Sequence, residues 1–222
     1  MKFKFSIYWL LFLLPLLFVI WYFNHKAENK PNHLLPYFGP KHALKVNDTT
    51  YHRVPGFSFV NQYGQTTDST AVADKIYVTE FFFTTCHSIC PIMNTNMIAV
   101  YKKFEKDDDV LILSHTVDPE TDSVPVLKQY AEAHGVTDKR WLFVTGNKPE
   151  LYEIARKGYL LDASEGNGGE DDFVHTQNFA LIDKARHIRG FYDGTDSVEV
   201  QRLIKDIILL KEEYAYAARQ AE

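Results

Sequence analysis

Only two cysteines occur in this 222-residue chain, and they stand four positions apart in Phe81-Phe82-Phe83-Thr84-Thr85-Cys86-His87-Ser88-Ile89-Cys90-Pro91. A thiolate is a soft donor and a strong nucleophile, so a close pair suits two kinds of chemistry: cycling between dithiol and disulfide, or gripping a soft metal ion. Three intervening residues put the pair at i and i+4, on one face where the segment is helical, within reach of a disulfide or of one shared ion. Zinc pairs and redox pairs more often have two intervening residues, which makes this spacing a signal of its own.

The flanking sequence must hold those sulfurs in place. Ile76 to Phe83 clusters β-branched and aromatic residues as a buried central strand does, and Met93, Met97, Val100, Tyr101 and Phe104 then recur at helical spacing. The cysteines therefore fall where a strand hands over to a helix, whose first turn offers unpaired N–H groups and the positive end of the dipole, both favouring thiolate. Val110 to Val117 is predicted as a second buried strand one helix later, the βαβ pattern of a parallel sheet. Trp141 to Val144 is predicted as a third. Phe179 to Ile182 and Ile188 to Tyr192 read as a hairpin around Lys184-Ala185-Arg186, and Phe57 to Val60 with Tyr63 to Gln65 as a shorter one near the start. Further helices are expected up to Gly135, from Pro149 to Lys157, and from Asp196 onward, with Glu199 completing a capping box and Leu203, Ile204, Ile207 and Leu210 buried. The predicted fold class is α/β: a mixed sheet of about five strands flanked by helices, with the cysteines at the carboxyl end of a central strand, where open sheets place their sites.

A soft d10 ion such as Cu(I) accepts thiolate and imidazole and is content with three ligands. Among nine histidines, His175 is the candidate third ligand, because it follows the glycine- and acid-rich loop Leu161 to Asp172 and directly precedes a strand. His115 reads as a core histidine within its strand, His134 as a helix carboxyl-terminal residue, His187 as part of a turn and His87 as solvent-facing. Met93 fits the core better than a thioether ligand. In the polar loop Asp118-Pro119-Glu120-Thr121-Asp122, Asp118 and Asp122 either hydrogen-bond near the site or cap a helix, and capping is the favoured reading for Asp122.

Composition bounds the partners. A net charge of -5, with no run of lysine or arginine interleaved with aromatics, lacks the electrostatic footprint of a nucleic-acid binder. At the amino terminus, Phe5 to Phe23 is uncharged and about 28 Å long as a helix, the reach of a membrane anchor. Lys2 and Lys4 before it predict a cytoplasmic amino end and an exported, periplasmic-side soluble domain. Expected boundaries are an anchor over 1–24, a proline-bearing linker over 25–54 and one domain over 55–222. One cysteine pair is too few to staple an exported scaffold, so the pair reads as functional.

Thr84-Thr85-Cys86-His87-Ser88-Ile89-Cys90-Pro91, the loop Val117-Asp118-Pro119-Glu120-Thr121-Asp122, Thr145-Gly146, and Val174-His175 followed by Phe179-Ala180-Leu181-Ile182-Asp183 stand in an order and spacing that resemble the Sco/SenC proteins, membrane-anchored copper chaperones for cytochrome c oxidase assembly. The resemblance implies a thioredoxin-like fold and copper, Cu(I) or Cu(II), held by Cys86, Cys90 and His175. It also implies delivery to the binuclear copper site of an oxidase subunit, with Cys86 and Cys90 a redox pair kept reduced by a thiol reductant protein. Three positions depart from the family pattern: His87 where proline is common, Val174 where aspartate is frequent, and Lys184-Ala185-Arg186 in place of a Pro-x-Gly turn. The alternative is a thiol-disulfide oxidoreductase that carries no metal. A thiol peroxidase is disfavoured, because no arginine neighbours the cysteines in sequence.

Overall fold

The computed structural model describes residues 13–22, 34–45, 48–161 and 176–221. Residues 35–208 form one compact unit, while 13–22 and 209–221 fall into a second. In the larger unit a polar hairpin of β1 (Lys41–Lys45) and β2 (Asp48–Tyr51) precedes β3 (Ser58–Asn61), β4 (Thr66–Asp68), β5 (Ile76–Phe82), α2 (Cys90–Lys103), β6 (Val110–Thr116) and α3 (Val124–Ala133). β7 (Trp141–Thr145), α4 (Lys148–Glu153), a π-helical turn (Ile154–Gly158), β8 (Asn178–Ile182), β9 (Ile188–Asp193) and α5 (Ser197–Ala221) follow, the last running out of the unit. Helix α1, residues 13–22, lies in the smaller unit with its apolar side chains exposed.

The main sheet has seven strands in the order β4-β3-β7-β6-β5-β8-β9. β5, β6 and β7 are parallel, and β3, β8 and β9 run antiparallel to the neighbours they extend. All seven residues of β5 are buried, as a strand covered on both faces requires. The sheet exceeds the expected five strands because the β3–β4 hairpin joins the β7 edge. The β1–β2 hairpin escapes the sequence pattern because Lys41–Lys45 and Asp48–Tyr51 carry almost no apolar alternation.

Strand alternation sorts the core into two faces. Phe82, Trp141 and Phe143 meet α2 and α3 on one, with Tyr101 on Trp141 and Tyr130 stacked on Phe82 at 5.2 Å. Tyr77, Phe81, Leu113 and Val144 pack on the other against Phe57, Phe59, Tyr152, Ile154 and Tyr159. Each such large side chain contributes about 1.5–3 kcal/mol when fully buried. Gly146 tolerates no side chain, since a Cβ there would stand 2.8 Å from the Phe59 ring. Arg186, in the turn where the family pattern has glycine, adopts a left-handed φ of 66°.

Three expectations need restating. The segment read as linker packs onto the unit from Leu35 onward: Phe38 bridges Ile188, and the buried Arg189 guanidinium donates to the Leu35 and Pro36 carbonyls at 2.7 and 3.2 Å while lying over the Tyr37 ring. At the start of α5, Asp196 caps the Val198 N–H, but Glu199 pairs with Arg202 instead of closing a capping box. Among the described residues no helix is long and apolar enough to cross a membrane; residues 5–12 and 23 of the predicted anchor lie outside them.

Arg189 also pairs with the buried Asp183 carboxylate at 3.3 Å. Arg189→Leu should therefore lower stability by about 3–5 kcal/mol in guanidinium denaturation, because it strands that carboxylate, and Asp183→Asn in the same chain should recover part of the loss.

Candidate functional site

β5 ends at Phe82, and the chain turns through Thr84 and Thr85 before α2 begins at Cys90. Residues 84–89 are not helical, so the cysteines meet across a turn rather than on a helix face. The turn is closed by the Cys86 N–H donating to the Phe83 carbonyl at 3.2 Å. Pro91, lacking an N–H, fits the first turn of α2, where no partner is needed. Ile89, at the cap position, supplies no side-chain bond.

Both cysteines are free, and both are buried, Cys86 at 9% exposure and Cys90 at 4%. Their acidities diverge. Burial works against the Cys86 thiolate, but hydrogen bonds from the Cys90 thiol, from the Cys90 and Ser88 N–H groups and from the Ser88 hydroxyl outweigh it and bring the thiol below its ordinary value. Burial, together with that same donation to Cys86, pushes Cys90 up to about 12. The helix start was expected to acidify its cysteine; for Cys90 desolvation wins, and the more acidic thiol is Cys86, four residues earlier.

A cavity of about 70 Å³ opens on the pair, lined by Phe81, Phe82, Phe83, Cys86, Cys90 and, from the segment leading into β8, Thr176. His175 and the acidic loop 162–172 lie outside the described residues. Thr176, the next residue after His175, is thus part of the cysteine cavity wall. Among the described residues no group of three or more His, Cys, Asp or Glu side chains is placed to hold a metal ion.

His87, His115 and His134 occupy the places expected of them. His115 is fully buried in β6, stacked on Phe81 at 5.0 Å, with Nδ1 3.2 Å from the Thr79 hydroxyl; desolvation pushes its pKa down to about 3. His134 at the end of α3 donates from Nδ1 to the Tyr130 carbonyl at 2.8 Å. His87 is exposed, whereas Met93 and Met97 lie in the core.

Of two buried carboxyl groups near the site, one takes the less favoured of its two sequence readings and the other escaped the sequence reading. Asp122 is not a helix cap: Ser123 occupies that position, and Asp122 is buried as acceptor of the Thr84 N–H, the Thr84 hydroxyl and the Thr116 hydroxyl. It thereby ties the ends of β5 and β6 together two residues before Cys86. Glu80 is buried in β5, accepting from the Ser114 hydroxyl at 2.7 Å, which itself receives the Trp141 indole N–H. Desolvation pushes the Glu80 carboxyl up to about 7, and its charge helps to raise Cys90. An isolated acid within the apolar run Ile76 to Phe83 was the available signal for Glu80. For Asp122 nothing local separates a cap from a clamp.

Comparison with known proteins follows the same lines. The SCO1/SenC family model matches residues 46–210. A SCO1/SenC family lipoprotein from Bacillus anthracis str. Ames has a similar structure, with a TM-score of 0.64 at 25% identity over 72% of this chain and 95% of that one. BsSco, described with a disulfide switch as a member of the Sco family of cytochrome c oxidase assembly proteins, is 29% identical with a TM-score of 0.58, over 70% and 92%. Arabidopsis thaliana ScoI, solved with copper bound, shares the fold at 23% identity and a TM-score of 0.55, over 69% and 96%.

Two outcomes are expected from this geometry. Near neutral pH iodoacetamide should modify Cys86 before Cys90, because the thiolate fraction rises with pH and Cys90 reaches it only toward about pH 12; equal labelling by mass spectrometry would contradict the split. Asp122→Ala should cost about 2–4 kcal/mol and speed exchange of the Thr84 amide, since it leaves three donors without their acceptor.

Proposed function

Because the chain belongs to the SCO1/SenC family, we propose that it is a copper metallochaperone whose cargo is held by the thiolates of Cys86 and Cys90 and the imidazole of His175. The observation that carries this reading is the cavity wall: two free, interacting thiols share it with the residue that follows His175. The donor set suits a soft ion, and the space is enough for one. Cys86, already acidic, receives the ion; its positive charge then offsets the desolvation that keeps Cys90 protonated, and Cys90 releases its proton on binding. Delivery proceeds by ligand exchange with the thiolates of a docked partner, the binuclear copper site of an oxidase subunit. The copper-bound Arabidopsis protein and the oxidase-assembly role ascribed to BsSco support that assignment.

The unlike acidities favour a second activity at the same residues. The Cys86 thiolate attacks a partner disulfide, forming a mixed disulfide and releasing one partner thiolate. Cys90, after losing its proton, attacks the Cys86 sulfur and releases the second, so two electrons pass to the partner. A thiol reductant protein restores the pair. In this reading the sequence 5–23 crosses the membrane, the residues before Leu35 lead from anchor to domain, and the domain works on the exported side; the lipoprotein relative is consistent with a tethered domain.

The test is copper stoichiometry and affinity of the detergent-solubilised chain. Wild type should bind about one Cu(I), Cys86→Ser with Cys90→Ser none, and His175→Ala should lose at least about tenfold in affinity, about 1.4 kcal/mol. Wild-type affinity in His175→Ala, with thiol exchange intact, would leave the oxidoreductase reading in its place.

A further inference from the structure

Residues 81–101 contain no Asp, Glu, Lys or Arg, in a chain that is 24% charged. Within the strand this is ordinary core. On α2 it is not, because the solvent side of a surface helix normally carries charge. α3 exposes Lys128 and Glu132, and α5 exposes Arg202 and Lys205. α2 instead exposes Pro91, Ile92, Thr95 and Ala99, one stripe at helical spacing, with Ile92 at 51% exposure; charge returns only at Lys102. The stripe is continuous with Thr85, His87 and Ser88, the exposed residues of the turn that carries Cys86.

The buried state of the sulfurs says what covers this strip. At 9% and 4% exposure they reach another molecule's sulfur only if that molecule seats closely over their surroundings. A partner that brought charged side chains onto the strip would strip them of water and offer them no counter-charge. We propose that the solvent face of α2, from Pro91 to Ala99, together with the Cys86 turn, docks a protein whose own cysteine pair is ringed by uncharged, partly apolar side chains. Specificity then comes from rejecting charged surfaces, and the encounter gains little from electrostatic steering. The inference rests on reading Cys86 and Cys90 as an exchange site, whether for copper or for electrons.

The probe is the copper-receiving domain of an oxidase subunit with its cysteines as a disulfide, reduced by the full-length chain in detergent. Hydroxyethyl disulfide, too small to touch α2 beyond the cysteines, serves as control. Ile92→Lys and Thr95→Glu should each slow reduction of the domain about tenfold or more and leave the small disulfide unaffected. The wild-type rate should change less than about twofold between ~50 and ~500 mM salt. Variants that reduce the domain at the wild-type rate would overturn the inference, as would a wild-type rate that collapses with salt. A chain that reduces hydroxyethyl disulfide but never the domain would overturn it too. The copper titration of the same preparations judges the chaperone reading separately, so the two fail by different signatures.

Discussion

The unlike environments of two neighbouring sulfurs govern the chemistry of this molecule. Desolvation makes the Cys90 thiolate costly, and the Cys90 thiol, by donating to Cys86, lowers the pKa of its neighbour. Neither residue would behave this way alone. A lone buried thiol is inert and a lone exposed one is ordinary, whereas the coupled pair holds one thiol more acidic than usual beside one less acidic, which gives up its proton when something electrophilic arrives.

Much of the surrounding structure maintains that coupling. The pair has to stay within sulfur–sulfur reach across a non-helical turn, which is the kind of segment that would otherwise wander. Asp122 prevents this by gathering donors from Thr84 and Thr116, so the turn leaves the sheet at a fixed point. Beneath it the aromatic floor of Phe81 and Phe82 excludes water and supplies the desolvation that separates the two acidities. Glu80, lower in the same strand, adds a negative charge on the Cys90 side and so reinforces the direction of the split. Buried acids cost stability, and this one has its carboxyl pushed up to about 7 in a layer that apolar side chains would otherwise fill.

The same economy of charge is visible outside. The Cys86 turn and α2 carry no formal charge up to Lys102, while α3 and α5 are charged in the usual way. At the other edge of the sheet the opposite device operates: a buried guanidinium, Arg189, gathers the carbonyls of Leu35 and Pro36 and the Asp183 carboxylate, holding the incoming chain against β9. The molecule thus separates an edge secured by charge from a working face kept free of it.

How much of this was legible beforehand depended on whether the information was local. Strands β5, β6 and β7, the hairpin of β8 and β9, and the helix after the cysteines were readable because β-branched runs and a 3.6-residue repeat are properties of adjacent residues. The thiol pair and its family resemblance were readable for the same reason, as were the quiet roles of His115, His134 and Met93. The polar β1–β2 hairpin was not, since nothing in Lys41–Lys45 or Asp48–Tyr51 marks a strand until the chain pairs it. Nor was the role of Asp122, whose partners lie 38 and 6 residues away. The sequence by itself determined which atoms are available for chemistry and the order of elements that carries them. Only the tertiary structure decided which sulfur is the more acidic, because desolvation and hydrogen-bond direction are set by what the folded chain packs around each atom, and these reversed the preference that a helix amino terminus alone would have given Cys90.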